Sequence, residues 1–312
     1  MRGLRLLPGD INLSFIPRRK IFFAFSILLL ISSIGLYLTN GLNYGIDFKG
    51  GILIEIKTTG GPADVKAMRS NLSDLGVGEI GLQEFGAPDE VLIRIQAQEG
   101  GEQAQQLAIG KVKTALGSGI EYRRTEFVGP KISDELFWDG IYAVSAAIFA
   151  ILVYVWFRFE WQFGLGAIVA LVHDVISTIG VFALLGLEFN LSTVAAILTI
   201  AGYSINDTVV VYDRVRENLR RYKTLPFTEL LNKSVNETLS RTVMTSVTTL
   251  LALLALYILG GEVIRGFSFA MIWGVLIGTY SSICLAVPVL LYMKIERRSS
   301  SGGEGAAAEQ VP

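Results

Sequence analysis

Asp207 sits where a carboxylate is costly. It lies in Gly202-Tyr203-Ser204-Ile205-Asn206-Asp207-Thr208-Val209-Val210-Val211-Tyr212-Asp213-Arg214, which closes an apolar run opening near Leu191 and long enough to cross a bilayer. A charged side chain in hydrocarbon costs about 3 kcal/mol on insertion scales, so such residues face a bundle interior or a watery path and mark ion or proton traffic. The chemistry within reach of Asp207 is therefore loading and releasing a proton. Asn206, Ser204 and Asp213 are the polar neighbours that would support it. The competing reading is a hydrogen-bonded group that only packs helices.

Two more residues fall in mid-span. His173 and Asp174 stand near the centre of another apolar run, between Val172 and Val175. His173 is the only histidine and Cys284 the only cysteine, so no His/Cys metal site and no internal disulfide can be assembled. Beside a mid-bilayer carboxylate, an imidazole that titrates near neutrality suits proton handling. Neighbours on a helix point about 100° apart, so the two are not expected to face one partner, and Asp174 is the stronger candidate. Arg241 comes just before a fifth run, Thr242-Val243-Met244-Thr245-Ser246-Val247-Thr248-Thr249. Asp207 lies about 24 Å along its helix at 1.5 Å per residue, a depth that Arg241 reaches from the opposite chain direction. An Asp207–Arg241 pair is open, and pairing is how such charges are tolerated; snorkelling of Arg241 to the headgroups is the alternative. The hydroxyls of Thr245, Ser246, Thr248 and Thr249, and the Gly274-x-x-x-Gly278 spacing, read as close helix packing.

These groups need spans to hold them, and the composition supplies them. The 312 residues are 51% hydrophobic and 18% charged, with mean hydropathy +0.50. Soluble domains carry about 25% charged residues. Six runs suffice for helical spans: Ile21–Thr39, Trp138–Phe157, Phe163–Leu187, Leu191–Tyr212, Thr242–Gly260 and Phe267–Met293. The first outruns a signal-peptide core and lacks a cleavage site, so it reads as a retained anchor. Arg2, Arg5, Arg18, Arg19, Lys20, Arg158, Arg214, Arg216, Arg220, Arg221, Lys223, Lys233, Lys294, Arg297 and Arg298 all fall on one side of six antiparallel runs. That side, with both termini, is expected to be cytoplasmic. The net charge of −1 argues neither for nor against nucleic acid, and no nucleic-acid partner is expected.

Residues 1–20 then form a cytoplasmic start, 21–39 the first span, and 40–135 an external domain. Residues 136–298 hold spans two to six, with a cytoplasmic link at 214–240, and 299–312 form a Ser/Gly/Ala/Glu-rich disordered tail. Within the domain, strands are expected at Gly51–Thr59, Glu79–Phe85, Val91–Gln96 and Ile120–Val128, and amphipathic helices at Pro62–Leu75 and Glu102–Leu116. The order βαββαβ predicts a ferredoxin-like α+β sandwich between the first two helices of a polytopic six-helix membrane protein. The stretch Val215–Ser240, broken at Pro226, is open between a helix lying along the membrane surface and a solvated link. No Gly-x-x-x-x-Gly-Lys-Ser/Thr occurs, so no P-loop hydrolyses nucleotide, and no catalytic triad has a surface setting.

Several motifs carry a family resemblance. Gly45-Ile-Asp47-Phe-Lys-Gly50-Gly51 is similar to the signature opening the external domain of the bacterial SecD/SecF protein-export family, and Val128-Gly129-Pro130-Lys131 resembles its exit motif. Gly202 to Asn218, His173-Asp174 and Ser240-Arg241-Thr242 resemble the SecF side of that family, as do six spans with one small domain. The resemblance implies one half of a proton-driven SecD–SecF unit of the resistance–nodulation–division superfamily, in the inner membrane, with the domain periplasmic. Its proton-conducting residues would be Asp207 and Arg241, with Asp174 and His173. It implies SecD as heterodimer partner, contact with the SecYEG channel, with YajC and SecA, and with emerging polypeptide. The unit would use protons as coupling ion and no cofactor, and would be a secondary-active subunit rather than an enzyme. The rivals are a small-molecule exporter half of the same superfamily, for which about ninety external residues are few, and a purely structural assembly subunit.

Overall fold

In hydrocarbon a backbone must satisfy its own polar groups, so each long apolar run closes into helix. The computed structural model describes residues 12–293. Arg2, Arg5, Lys294, Arg297, Arg298 and the predicted tail lie outside the described residues. In chain order the elements are α1 (Arg19–Asn40), β1 (Asn43–Tyr44), α2 (Ile46–Lys49), β2 (Gly51–Thr58), α3 (Val65–Ser73), β3 (Ile80–Phe85), β4 (Ala87–Ile95), α4 (Gly101–Leu116) and β5 (Ile120–Val128). There follow α5 (Pro130–Arg158), α6 (Trp161–Leu185), β6 (Glu188–Phe189), α7 (Leu191–Arg221), α8 (Phe227–Leu259) and α9 (Glu262–Ser281). The last helix continues through a π-helical turn at Ser282–Ala286, α10 (Val287–Val289) and a 3₁₀ turn at Leu290–Tyr292. Among the described residues, six helices are long and apolar enough to cross a membrane: α1, α5, α6, α7, α8 and the composite Val263–Tyr292.

The domain is a four-stranded antiparallel sheet in the order β3-β4-β2-β5. Alternation decides its two faces. Ile52, Ile54 and Ile56 of β2 join Val91, Ile93 and Ile95 of β4 under Leu72 of α3 and Ala108 and Val112 of α4. Leu53 and Leu92 turn to the other face and pack with Ile46 of α2. Strand β4 starts at Ala87, four residues before the Val91 expected from the pattern. Gly86 at φ 84° folds the hairpin so tightly that Phe85 already faces Ala87.

The bundle holds its buried apolar residues in two clusters. Near the domain, Phe182, Ala196, Ile200, Leu253, Ala270, Met271 and Val275 meet. At the far end, Ile16, Phe163, Tyr212, Val215, Leu230, Leu231, Val235 and Val287 meet. The second cluster takes in the apolar residues of Val215–Ser240, the stretch left open between a surface helix and a solvated link. That stretch is the end of α7 and the start of α8, joined by a short turn before Pro226. Its apolar residues Val215, Leu230, Leu231, Val235 and Leu239 bury against each other and against Ile16. Asn232 and Asn236 hold the incoming chain there: Asn232 Oδ1 accepts from the Phe15 N–H at 2.9 Å, and Asn236 Oδ1 from the Leu13 N–H at 2.8 Å.

Candidate functional site

Asp174 is the centre of a polar node joining three helices. It is fully buried on α6, and its Oδ2 accepts from Ser204 Oγ of α7 at 2.6 Å and from Ser281 Oγ of α9 at 2.8 Å. Its Oδ1 lies 3.1 Å from His173 Nδ1. Adjacent side chains have thus turned toward each other despite their expected divergence. Rotation of the side chains about χ1 and χ2 allows it, and the His173 ring also lies against Tyr280, with centroids 6.1 Å apart. His173 Nε2 is buried with no hydrogen-bond partner. The node continues through Ser282 Oγ, which lies 2.8 Å from Thr208 Oγ1 and donates to the Ser204 carbonyl at 3.2 Å.

Asp207 occupies the same buried stripe of α7 as Ser204, Thr208 and Val211, the i, i+3, i+4, i+7 spacing of one helix face. It is 3% exposed, and its Oδ2 is buried with no hydrogen-bond partner. Buried polar atoms are nearly always satisfied, so this oxygen calls for a proton, a water or a cation. Arg241 is the charged group that acts on it electrostatically. No ion pair joins the two, and Arg241 lies exposed on α8 next to buried Thr242, whose Oγ1 is also without a partner. The remaining predicted neighbours separate from this face. Asn206 is exposed on the outside of α7. Asp213 is taken by Arg158 of α5, whose Nη2 lies 2.8 and 2.9 Å from its two oxygens.

Close backbone approach makes the node possible. A Cβ at Gly278 would meet Ser204 Cβ at 3.1 Å, and one at Gly274 would meet Ile200 Cγ1 at 2.2 Å, so Gly-x-x-x-Gly brings α9 onto α7 as its spacing suggests. Gly180 does the same for α1 and α6, since its Cβ would lie 2.6 Å from Ser33 Cα. Sequence reasoning missed Ser281, Ser282, Thr208 and Tyr212. A signal did exist, because Ser281-Ser282 interrupts an apolar run seven and six residues before Pro288. Proline has no N–H and its ring crowds the carbonyl four residues back, so the preceding turn widens. The Tyr212 hydroxyl enters there and donates to the Ala286 carbonyl at 3.1 Å, over Gly166, where a Cβ would leave it only 2.4 Å. The hydroxyls of α8 are mostly packing groups: Ser246 Oγ lies 2.7 Å from Thr279 Oγ1, whereas Thr248 bonds its own helix.

The glycine-rich motif after α1 forms a clasp on the start of α7. β1 pairs in parallel with β6, matching Asn43 to Glu188 and Tyr44 to Phe189. Asp47 Oδ2 accepts the Leu191 N–H at 2.9 Å, one of the free donors in the first turn of the helix that carries Asp207. Gly45 allows the approach, since a Cβ would sit 2.6 Å from Glu188 Oε1. Gly51, at φ 125°, crosses the sheet where a Cβ would be 2.5 Å from the Ile95 carbonyl, and Gly50, at φ 70°, ends α2. The Tyr44 ring packs edge-on to Phe48, Phe137 and Phe189, and burial pushes its hydroxyl up to about 12, so it stays neutral. Arg94 of β4 forms an ion pair with Glu188, fastening the sheet itself to the α6–α7 turn. At the exit motif, Gly129 has open space around it and ordinary dihedrals, while Pro130 supplies the first position of α5. Asn190 is the N-cap of α7, and replacing Asp47 by alanine removes a further acceptor, from the Leu191 N–H; the expected cost of about 1 kcal/mol speeds hydrogen exchange of that amide about fivefold. Unchanged exchange would show that the contact carries no load.

Two family models match the chain: SecD/SecF GG Motif over residues 38–61, and Protein export membrane protein SecD/SecF, C-terminal, over residues 108–296. A Protein translocase subunit SecF of Rhodobacter capsulatus is 49% identical over 309 residues, covering 94% of this chain and 92% of that protein. One of Rickettsia felis is 48% identical, covering 92% and 94%. The crystal structure of SecDF, a translocon-associated membrane protein from Thermus thermophilus, resembles the chain with a TM-score of 0.83 at 38% identity. SecDF in a super-membrane-facing form gives 0.68 at the same identity. The chain spans 39% of the length of each of those two SecDF chains and 92% of itself is covered.

Proposed function

Because the chain belongs to the SecD/SecF family of protein-export membrane proteins, we propose that it works as the SecF-type half of a SecD–SecF unit, spending the proton gradient to promote polypeptide export. The observation that carries this reading is the unpartnered, buried Asp207 oxygen within the electrostatic reach of Arg241. Desolvation and a nearby guanidinium act in opposite senses on a carboxylate, so moving Arg241 nearer or farther changes its proton occupancy. Asp174, with His173, Ser204 and Ser281, is the second polar group on the route. The clasp ties the first turn of α7 to the domain, so a shift of that helix is passed to the sheet.

In this reading the chain lies in the bacterial inner membrane with both termini cytoplasmic and the domain periplasmic, as the one-sided Lys/Arg distribution favours. The order β3-β4-β2-β5 with two helices on one face supports a ferredoxin-like class for the domain. SecD is the heterodimer partner, with SecYEG, YajC, SecA and emerging polypeptide as further contacts. Protons are the coupling ion, no cofactor is required, and the work is transport rather than enzymatic turnover.

The test is export by cells lacking the endogenous subunit and supplied with this chain. Export should rise with the proton gradient and lose that rise on adding a protonophore, and SecD should co-purify. A rise that survives the protonophore, or that follows sodium alone, would overturn the coupling. Topology is tested separately with cysteine at Ser118, in the turn before β5, in a Cys284→Ala background. An impermeant thiol reagent is expected to label it from the periplasmic side; labelling only from the cytoplasm would reverse the orientation.

A further inference from the structure

The end of α7 remote from the domain carries a second constellation, one that proton traffic does not use. From Leu191, Asp213 lies about 33 Å along the helix at 1.5 Å per residue, about the thickness of the hydrocarbon layer. The turns that follow therefore stand at headgroup level. There a cleft of about 540 Å³ opens between α5 and α7, lined by Arg158, Asp213, Arg216, Glu217, Arg220 and Arg221. Both carboxylates are already engaged, Asp213 by Arg158 and Glu217 by Arg214 at 2.6 Å. Arg216, Arg220 and Arg221 form no ion pair with any described residue, so the cleft holds three guanidinium groups beyond those that its two carboxylates engage.

The guanidinium groups at the inner edge are held in place. Arg158 and Arg216 both stack on the ring of Phe159, at 4.9 and 5.5 Å from its centroid, and Phe159 is buried in the core. Arg216 Nη1 also donates to the Arg158 carbonyl at 3.2 Å, tying α7 to α5. Trp156, Phe157 and Trp161 are exposed near the same end of α5 and the start of α6, as aromatic side chains are at a membrane interface. A general excess of positive charge on the cytoplasmic side needs only scattered lysine or arginine. Planar guanidinium forks gathered around a cleft match the paired oxygens of a phosphate.

We propose that this cleft binds the phosphate group of an anionic phospholipid, whose headgroup bridges the end of α5 to the end of α7. The depth of the cleft and its aromatic border favour a lipid over free phosphate, because a lipid presents its phosphate at that level. The occupant would brace the end of the Asp207 helix opposite the clasp.

The experiment is native mass spectrometry of the full chain released from nanodiscs of mixed phosphatidylglycerol and phosphatidylcholine. The wild type should retain phosphatidylglycerol selectively. The variant Arg216→Gln/Arg220→Gln should lose that retention about tenfold. The control Arg18→Gln/Lys20→Gln, which removes two exposed charges from the same end of the bundle, should keep it. Equal loss in both variants, or no selectivity in the wild type, would reduce the cleft to general surface charge and overturn the proposal. A parallel arm adds inorganic phosphate to protein in phosphatidylcholine nanodiscs and follows thermal stability. Little stabilisation is expected there, with clear stabilisation by phosphatidylglycerol; equal stabilisation by both would overturn the lipid assignment. Circular dichroism and size exclusion of the double variant check that lost retention is not lost folding.

Discussion

Asp207→Asn is expected to leave the protein folded, inserted and bound to SecD, while the gradient-stimulated part of export falls to the level seen without a gradient. Asparagine nearly matches aspartate in shape and can hydrogen-bond, but it has no charge state to change. If Asp207 only packs helices, asparagine serves as well or better, since it removes a buried charge. The unpartnered Oδ2 makes the proton role the stronger reading. Export by the variant is measured with and without protonophore, alongside co-purification of SecD. Stimulation at the wild-type level would end the proton role of this residue. The route would then have to run through Asp174, where Ser204 and Ser281 already satisfy one oxygen.

Gly274→Leu should have the largest effect on the structure itself. A Cβ at that position would stand 2.2 Å from Ile200 Cγ1, 2.4 Å from Cδ1 and 2.7 Å from Cγ2. Ile200 is β-branched, stiff at χ1 within a helix and buried, so it has nowhere to turn. The helices must separate instead. Overpacking of this kind costs about 1–3 kcal/mol. Separation also stretches the hydroxyl bonds from Ser281 to Asp174 and from Ser282 to Thr208, which bridge the same pair of helices and α6. A fall of several degrees in thermal midpoint and a parallel loss of export are expected. Gly274→Ala combined with Ile200→Ala should recover much of the stability lost by Gly274→Ala alone, because the pair shares one contact. Independent, additive effects of the two substitutions would show that α7 and α9 do not meet there.

How much of this was legible beforehand depends on how local the physics is. The spans were legible because hydrocarbon forces any long apolar segment to bond its own backbone, a demand that neighbouring residues meet among themselves. The domain's strands and helices were legible because a period of two or of 3.6 is written in adjacent side chains. Asp207, Asp174 and Arg241 stood out because a charge in such a run is costly wherever the helix is rotated. Rotation, depth and partners were not legible. Asp174 meets a serine 30 positions away and another 107 away, and Asp47 accepts an N–H from the first turn of a helix 144 positions later. Arg241 turns outward and Asp213 is claimed by Arg158, although spacing alone left both facing the site. Lipid is as apolar as the side chains it touches, so hydrophobicity cannot choose which faces of two helices meet. That choice falls to glycine contacts such as Gly274 on Ile200 and to hydroxyl bonds such as Ser281 on Asp174, which exist only once distant segments have come together.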